Sequence, residues 1–279
     1  STFAESKEDI YKNNIELDPF TDPEKFAEKY GLYSEGSFDP MEYDYFFYNL
    51  QTKIDVGSDN TLEVTEFIDV YFQNTMHGIT RSLPLYNNTA MLYDTNNMNH
   101  IEVTGIYSDS PISYEYKGEQ LDITLGDQNG YVSGFKQYRL HYTLDFGKDP
   151  LKGRDEFIYF IIGSDLERPT LRCQFEINMP KDFDADRLSF PAVVYERPID
   201  DILTYEVTGT TIKGETNYHL LSGQSLSCKI NLPEGYFGDA ENIYDVSSLV
   251  SLSAATLMVI ICSVLILRSR KANSFILRL

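Results

Sequence analysis

The sequence contains few positively charged residues. Its 279 residues include 23 Lys and Arg against 43 Asp and Glu, which gives a formal net charge of −20. This charge argues against the phosphate backbone of nucleic acid as a ligand, so we expect no nucleic-acid partner. The negative net charge is compatible with basic partners and with cations. With 42% hydrophobic and 14% aromatic residues the chain can still build a core, which excludes a disordered tail.

The usual catalytic signatures are absent as well. The four histidines, at positions 77, 100, 141 and 219, show neither zinc-ligand spacing nor an H-E-x-x-H arrangement. No G-x-S-x-G elbow and no phosphate-binding glycine loop occurs. We therefore predict no catalytic residue and no cofactor, and we expect a protein that is not an enzyme.

Cysteine is scarce, with three residues in the whole chain. Cys173 and Cys228 fall on the apolar positions of alternating segments, so both side chains should point into a core. An exported location would permit a disulfide between them, and two buried free thiols are equally compatible with the pattern. The third, Cys262, lies inside a long apolar run.

That apolar run, from Ser247 to Leu267, contains no charged residue. As a helix it would span about 31 Å at ~1.5 Å per residue, close to the ~30 Å hydrocarbon core of a bilayer. We predict a transmembrane helix over residues 247–267. Because Arg268, Arg270 and Lys271 follow it directly, the positive-inside rule places the C-terminus in the cytoplasm and residues 1–246 outside.

An exported domain requires a signal peptide, and the chain opens at Ser1 without one. We infer that a signal peptide has been removed. The basic segment 268–279 ends abruptly on apolar residues, and we expect it to be a truncated cytoplasmic stub of a longer membrane protein.

Residues 1–44 form an acidic, aromatic extension with 12 Asp and Glu against 4 Lys. Asp22 can cap a short helix, Pro23 suits its first turn and Gly31 would end it. The run E-Y-D-Y-F-F-Y at 42–48 could form a docking patch, but we prefer a Tyr-rich strand that enters a sheet.

From Tyr48 to Phe237 the hydrophobic period is two, which is typical of half-buried strands. In residues 62–72 the apolar parity is interrupted by one acid, Glu66, and the turn at 57–60 predicts a hairpin. Many strands separated by regular turns predict a mostly β fold, an antiparallel β-sandwich. A weak echo between residues 177–180 and 230–233 suggests two subdomains, 45–165 and 166–240, with a boundary near 165–169.

Three carboxylates alternate at Asp182, Asp184 and Asp186, a spacing that could present oxygens to Ca²⁺. The EF-hand pattern fails, because Arg187 replaces the required glycine and Val193 occupies the last ligand position. A solvated turn is the favoured interpretation, and Ca²⁺ stays a minor alternative.

The combination of several segments resembles a known family. The segments are T-L-E-V-T-E-F-I-D-V-Y-F, H-G-I-T-R-S-L-P, L-D-I-T-L-G-D-Q-N-G-Y-V-S-G-F-K-Q-Y-R-L-H-Y-T-L, D-E-F-I-Y-F-I-I-G and C-Q-F-E-I-N-M-P. Over residues 48–268 their order and spacing are similar to the predicted bacterial membrane proteins of domain-of-unknown-function family 2207. The resemblance implies an exported β-rich region followed by a membrane helix, and no catalytic residues. Members tend to carry a tryptophan near the position of Phe160, whereas this chain contains no Trp.

The segment His77-Gly78-Ile79-Thr80-Arg81 supplies the binding candidates His77, Gly78 and Arg81. Gly78 suits a tight turn, and Arg81 can hold a carboxylate by two parallel hydrogen bonds. The favoured alternative is a structural one, in which Arg81 pairs with Glu63, Glu66 or Asp69.

These observations predict a membrane-anchored, extracytoplasmic binding or scaffolding domain, with another envelope protein or a wall polymer as its partner. Two alternatives remain open. One is a cell-surface glycan-active enzyme that uses paired carboxylates, since 43 acids offer many pairs. The other is a subunit of a transporter or signalling complex whose membrane helix packs through small residues.

Overall fold

The computed structural model describes residues 25, 42–88, 98–163, 166, 168–193 and 202–241. The chain divides into two compact units, Ser1–Glu241 and Asn242–Leu279, and all described residues belong to the first. No helix within the described residues has the length and apolar character needed to cross a membrane. The expected membrane helix 247–267 and the stub 268–279 lie outside the described residues. So does the N-terminal extension, except for a helical Lys25 and for residues 42–44.

The described chain is mostly β, as expected, and its strands form four sheets. The seven-stranded sheet contains, from edge to edge, β14 (Leu203–Thr208), β15 (Thr211–Thr216), β11 (Cys173–Asn178), β1 (Tyr45–Val56), β2 (Thr61–Met76), β9 (Val132–Asp145) and β6 (Glu102–Ser108). The four-stranded sheet contains β10 (Asp155–Ile162), β16 (Ser225–Leu232), β12 (Leu188–Ser189) and β13 (Ala192–Val193). The three-stranded sheet contains β3 (Gly78–Pro84), β8 (Gln120–Gly126) and β7 (Ile112–Lys117), and the smallest contains β4 (Tyr86–Asn88) and β5 (Met98–His100).

The predicted hairpin is confirmed, since β1 and β2 pair antiparallel on either side of the turn 57–60. The amide of Gly57 donates to the carbonyl of Thr61 at 2.8 Å. Asn60 adopts a left-handed φ of 63°, a conformation that asparagine tolerates better than most residues. The Tyr-rich strand predicted over 42–48 is also present, because β1 begins at Tyr45.

Among the strands named above, the expected antiparallel order has one exception, the parallel pairing of β1 with β11 from Leu50↔Cys173 to Asp55↔Asn178. A parallel pair needs a long connection between its strands. Here more than a hundred residues separate β1 from β11 along the chain. Alternation reports which face of a strand is buried but not the direction of its neighbour, so the sequence did not reveal this pairing.

The subdomain boundary expected near 165–169 does not divide the fold. Strand β11, which follows it, lies between β1 and β15 in the seven-stranded sheet. One hydrophobic cluster also contains Ile54 and Ile68 from before the boundary together with Ile177 and Ile230 from after it. The short echo at 177–180 and 230–233 reflects two strand ends in different sheets, not two separate cores.

The core lies between the inner face of the seven-stranded sheet and the other sheets. The alternating positions predicted for the β2 segment are buried, including the acid: Leu62, Val64, Glu66, Ile68, Val70 and Phe72 are each at most 1% exposed. The same cluster receives Ile123 from the three-stranded sheet and Phe157 from the four-stranded sheet. The buried side chains of the three larger sheets therefore form one core.

The opposite, outer face of the seven-stranded sheet carries a small apolar cluster around Phe46, Tyr48 and Leu171. Where β14, β15, β11 and the later part of β1 lie side by side it is polar, with charges that alternate from strand to strand. Glu206, Lys213, Glu176 and Lys53 are successive neighbours across β14, β15, β11 and β1. Lys213 Nζ lies 3.2 Å from Glu176 Oε2. Such cross-strand pairs of opposite charge favour this register.

Candidate functional site

Arg81, a binding candidate from the sequence, is buried in an ion pair with Glu66. Arg81 on β3 donates from Nε to Glu66 Oε2 and from Nη2 to Glu66 Oε1, both at 3.0 Å. The Glu66 and Arg81 side chains are 0% and 5% exposed. Of the three acids proposed as structural partners, the structure selects Glu66, the one on the buried parity of β2.

Two tyrosines extend this ion pair into a network that joins three sheets. Tyr142 on β9 donates to Glu66 Oε1 at 2.8 Å, and its hydroxyl lies 3.0 Å from that of Tyr159 on β10. Burial, and then the nearby Glu66 carboxylate, raise the pKa of both tyrosines well above the usual range. The network therefore holds neutral phenols around one buried ion pair, an arrangement that serves the core.

His77 and Gly78 lie where β2 turns into β3. The imidazole Nδ1 of His77 is 2.8 Å from the carbonyl of Gly130, and its ring stands 4.6 Å from that of Tyr131. Gly78 faces Gly126, with φ values of 146° and 139°. A Cβ on Gly78 would lie 2.0 Å from the Leu125 carbonyl, so glycine is required by close backbone approach. His77, unlike Arg81, is exposed to solvent.

The alternating aspartates form a capped turn. Asp184 caps the 3₁₀ turn Ala185–Arg187, accepting from the Asp186 amide at 3.1 Å and from Arg187 Nε at 3.2 Å. Among the described residues no three His, Cys, Asp or Glu side chains converge in a way that could hold a metal ion. Asp182, Asp184 and Asp186 are all exposed.

The two described cysteines are free thiols at 0% exposure. Cys173 lies on β11 in the seven-stranded sheet and Cys228 on β16 in the four-stranded sheet. Burial raises the pKa of both thiols far above the usual range. The structure therefore corresponds to the free-thiol alternative, and both sulfur atoms are inert core groups.

Three of the four histidines pair with tyrosine rings, a regularity that the sequence does not display. The pairs are His77–Tyr131 at 4.6 Å, His100–Tyr86 at 5.2 Å and His141–Tyr107 at 4.6 Å between ring centroids. The rings of His141 and Tyr107 are the nearest to parallel, with 29° between their planes against 37° and 63° in the other two pairs.

His141 is held on the outer face of the seven-stranded sheet from two sides. Its Nδ1 lies 3.0 Å from Thr65 Oγ1, and its Nε2 lies 3.0 Å from Glu63 Oε2. Thr143 in turn donates to Glu63 Oε1 at 3.0 Å. The imidazole is therefore fixed in position while Tyr107, 51% exposed, covers one ring face. We call Glu63, Thr65, Tyr107 and His141 the His141 cluster.

A bulge in β6 places Tyr107 in this cluster. Thr104 faces Thr143 and Tyr107 faces His141, so three steps along β6 match two along β9. Gly105 adopts a left-handed φ of 61° at this point. The extra residue turns Tyr107 outward while Ile106 packs against the core.

The chain of contacts from Thr65 through His141 to Glu63 resembles a catalytic triad of nucleophile, base and acid. Acyl transfer, however, also needs free backbone N–H groups near the nucleophile to stabilise an oxyanion. Thr65 lies in β2, which pairs with β1 on one edge and with β9 on the other. The backbone N–H groups around Thr65 are therefore used in hydrogen bonds to the neighbouring strands and do not form an oxyanion site. The cluster offers rigid side chains on an open sheet face, and it is suited to binding.

A second exposed feature is the edge strand β7. All of its residues from Ser113 to Lys117 are exposed, including Tyr114 at 56% and Tyr116 at 61%. The sequence analysis missed β7 and the His141 cluster. The alternation of I-S-Y-E-Y-K indicates a strand but not its place at an edge, and no local signal pairs Tyr107 with His141.

The fold and these surfaces define a mostly β domain with several sheets. The family described as "Predicted membrane protein (DUF2207) N-terminal domain" matches residues 48–229, and the chain belongs to this family. This finding confirms the resemblance noted from the sequence. No curated protein matches the chain.

Among solved structures, the chain is similar to an M1 zinc metallopeptidase from Deinococcus radiodurans, with 8% identity and a TM-score of 0.34, over 66% of this chain and 42% of the peptidase. It is also similar to the native leukotriene A4 hydrolase from Saccharomyces cerevisiae, with 6% identity and a TM-score of 0.39, over 77% and 33% of the two chains. The chain thus spans less than half the length of either enzyme. Likeness of this extent says nothing about activity.

Proposed function

We propose that this chain is the extracytoplasmic, sandwich-like binding domain of a membrane protein, anchored by a helix over residues 247–267. Membership of a family of predicted membrane proteins supports the membrane setting. The apolar run and the basic residues after it support the orientation. In this setting the outer face of the seven-stranded sheet is presented to other components of the envelope.

The His141 cluster is the observation that carries a binding role. Tyr107 exposes half of its surface, yet its ring rests on an imidazole that is itself held by Thr65 and Glu63. A pre-organised aromatic side chain loses little conformational entropy when a partner covers it. Exposed aromatic groups on rigid strands are therefore efficient contact points for another protein.

Site-specific photocrosslinking in native membranes tests this proposal. A photoreactive phenylalanine analogue at position 107 should form a discrete adduct with an envelope component. The matched control is position 205, since Tyr205 is 48% exposed on another edge of the same sheet. An adduct at position 107 that is lost in the His141→Ala variant supports the cluster. Equal adducts at both positions, or none at 107, would contradict it.

A further inference from the structure

The edge of the three-stranded sheet formed by β7 has a ladder on one side only. Within the described chain β7 pairs with β8 and with no other strand. In an antiparallel pair, alternate residues direct their N–H and C=O groups away from the neighbour. The free edge of β7 therefore offers a row of backbone donors and acceptors to an added strand.

The side chains of β7 also favour contact with a partner. Tyr114 and Tyr116 lie opposite the core residues Ile123 and Leu121 of β8, so they continue the apolar face of the sheet beyond its edge. Their rings are 6.5 Å apart and nearly perpendicular, at 89°. Perpendicular rings do not form the flat platform on which a sugar stacks, whereas an extended peptide can pass its side chains between them.

Charge indicates the chemistry of the partner. Asp109, Glu115 and Glu119 around this edge are exposed. Lys117 is the matching exposed cation, and it already contacts Asp122 at 2.9 Å and Glu115 at 3.5 Å. The edge is therefore acidic on a chain of net charge −20. A second copy of the chain would bring like charges together, whereas a basic segment would be attracted.

We propose that β7 binds an extended basic polypeptide segment by strand addition, with Tyr114 and Tyr116 contacting its apolar residues and Glu115 its basic ones. This inference rests on the proposed role as a binding domain but uses a different surface from the His141 cluster. Photocrosslinking at position 107 and peptide binding at β7 can therefore fail independently of each other.

The test uses the whole 279-residue chain in mild detergent and two peptides of equal length and charge. One alternates Lys and Val, and the other alternates Lys and Pro. Both are attracted by the acidic surface, but proline has no N–H to donate and cannot continue a ladder. We expect the Lys-Val peptide to bind at least ~10-fold more tightly, and to slow amide hydrogen exchange in residues 112–117. Equal affinities would mean charge attraction alone and would overturn the proposal.

Variants locate the binding. Tyr114→Ser with Tyr116→Ser, and separately Glu115→Lys, should each weaken binding of the Lys-Val peptide about tenfold. Strand β14 supplies matched controls, because it is another sheet edge with an exposed Tyr-Glu pair, and Tyr205→Ser and Glu206→Lys should leave binding unchanged. Binding that survives the β7 variants, or self-association that depends on β7, would overturn the proposal.

Discussion

The phenol ring of Tyr107 lies over the imidazole of His141, with ring centroids 4.6 Å apart and planes inclined by 29°. The two residues belong to neighbouring strands, and they meet because the bulge at Gly105 shifts the register of β6 by one residue. Without this shift, the period of two would direct Tyr107 to the inner face and Ile106 outward. One backbone conformation thus creates the exposed contact point of the proposed binding face.

The first prediction concerns this bulge. Gly105→Ala should lower the free energy of unfolding by about 1–2 kcal/mol, because a left-handed φ is unfavourable for residues with a Cβ. The added Cβ would also lie 3.0 Å from Thr143 Oγ1. The imidazole signals of His141 in NMR spectra should shift as Tyr107 moves. Gly118→Ala is the control, since Gly118 has nearly the same φ, 62°, and no atom within 4 Å of the new Cβ. A His141 shift of equal size in the control would contradict the role of the bulge.

A second prediction concerns the buried ion pair. Glu66→Gln should cost about 3–5 kcal/mol in chemical denaturation, because it leaves the buried Arg81 without its counter-charge. Replacing both members, by Glu66→Leu with Arg81→Met, should restore much of the loss. As a comparison, Lys53→Met removes the partly exposed ion pair with Asp55 and should cost at most about 1 kcal/mol. A double variant as unstable as Glu66→Gln would contradict the explanation that the unpaired charge of Arg81 causes the loss of stability.

A third prediction is that the contributions of Asp122 and Asp149 to the free energy of unfolding change with pH in opposite directions. Hydrogen bonds from Ser82 and then Lys117 lower the pKa of Asp122 below 3.8, so its contribution is present above pH 3.8 and is lost as the pH falls through the lowered pKa. Burial raises the pKa of Asp149, so its native state binds the proton more tightly, and stability falls as the pH rises from 3.8 through the raised value.

The measurement is the free energy of unfolding from about pH 2 to pH 7. The cost of Asp122→Asn should grow as the pH rises, and the cost of Asp149→Asn should shrink. Asn at position 149 keeps one of the two oxygen acceptors for the Leu151 and Glu156 amides. The lost hydrogen bond adds a cost that is the same at every pH, so it does not alter the expected trend. Parallel trends for the two variants would refute the assignment.

A fourth prediction separates free thiols from a disulfide. In the folded chain, Cys173 and Cys228 should not react with a maleimide, because both are buried and burial holds their thiols in the protonated form. In denaturant without reductant both should react, as mass spectrometry of the peptides would show. Modification in denaturant only after reduction would instead establish a disulfide.

The last prediction tests orientation in the membrane. Ser133→Cys, at an exposed position of β9, should react with a membrane-impermeant maleimide in intact cells. Ser269→Cys, in the segment expected in the cytoplasm, should react only after permeabilisation. Labelling of both before permeabilisation, or of neither, would contradict the proposed topology.

Much of the fold could be predicted from local patterns. Alternation identified the buried face of β2, and the residue types at 57–60 identified the hairpin. These features succeed because side-chain period and turn chemistry act over a few residues. For Arg81 the sequence favoured a structural ion pair but left Glu63, Glu66 and Asp69 open as partners, and only the structure selects Glu66.

What required the tertiary structure is the set of neighbours that each strand acquires. The parallel pairing of β1 with β11, the position of β7 at an edge, and the meeting of Tyr107 with His141 all depend on residues far apart in the chain or on a shift in register. A strand carries the same alternation whichever strand lies beside it. The sequence by itself therefore determined the buried face of regular strands such as β2, whereas the packing of the sheets decided which strands are neighbours and which exposed side chains meet.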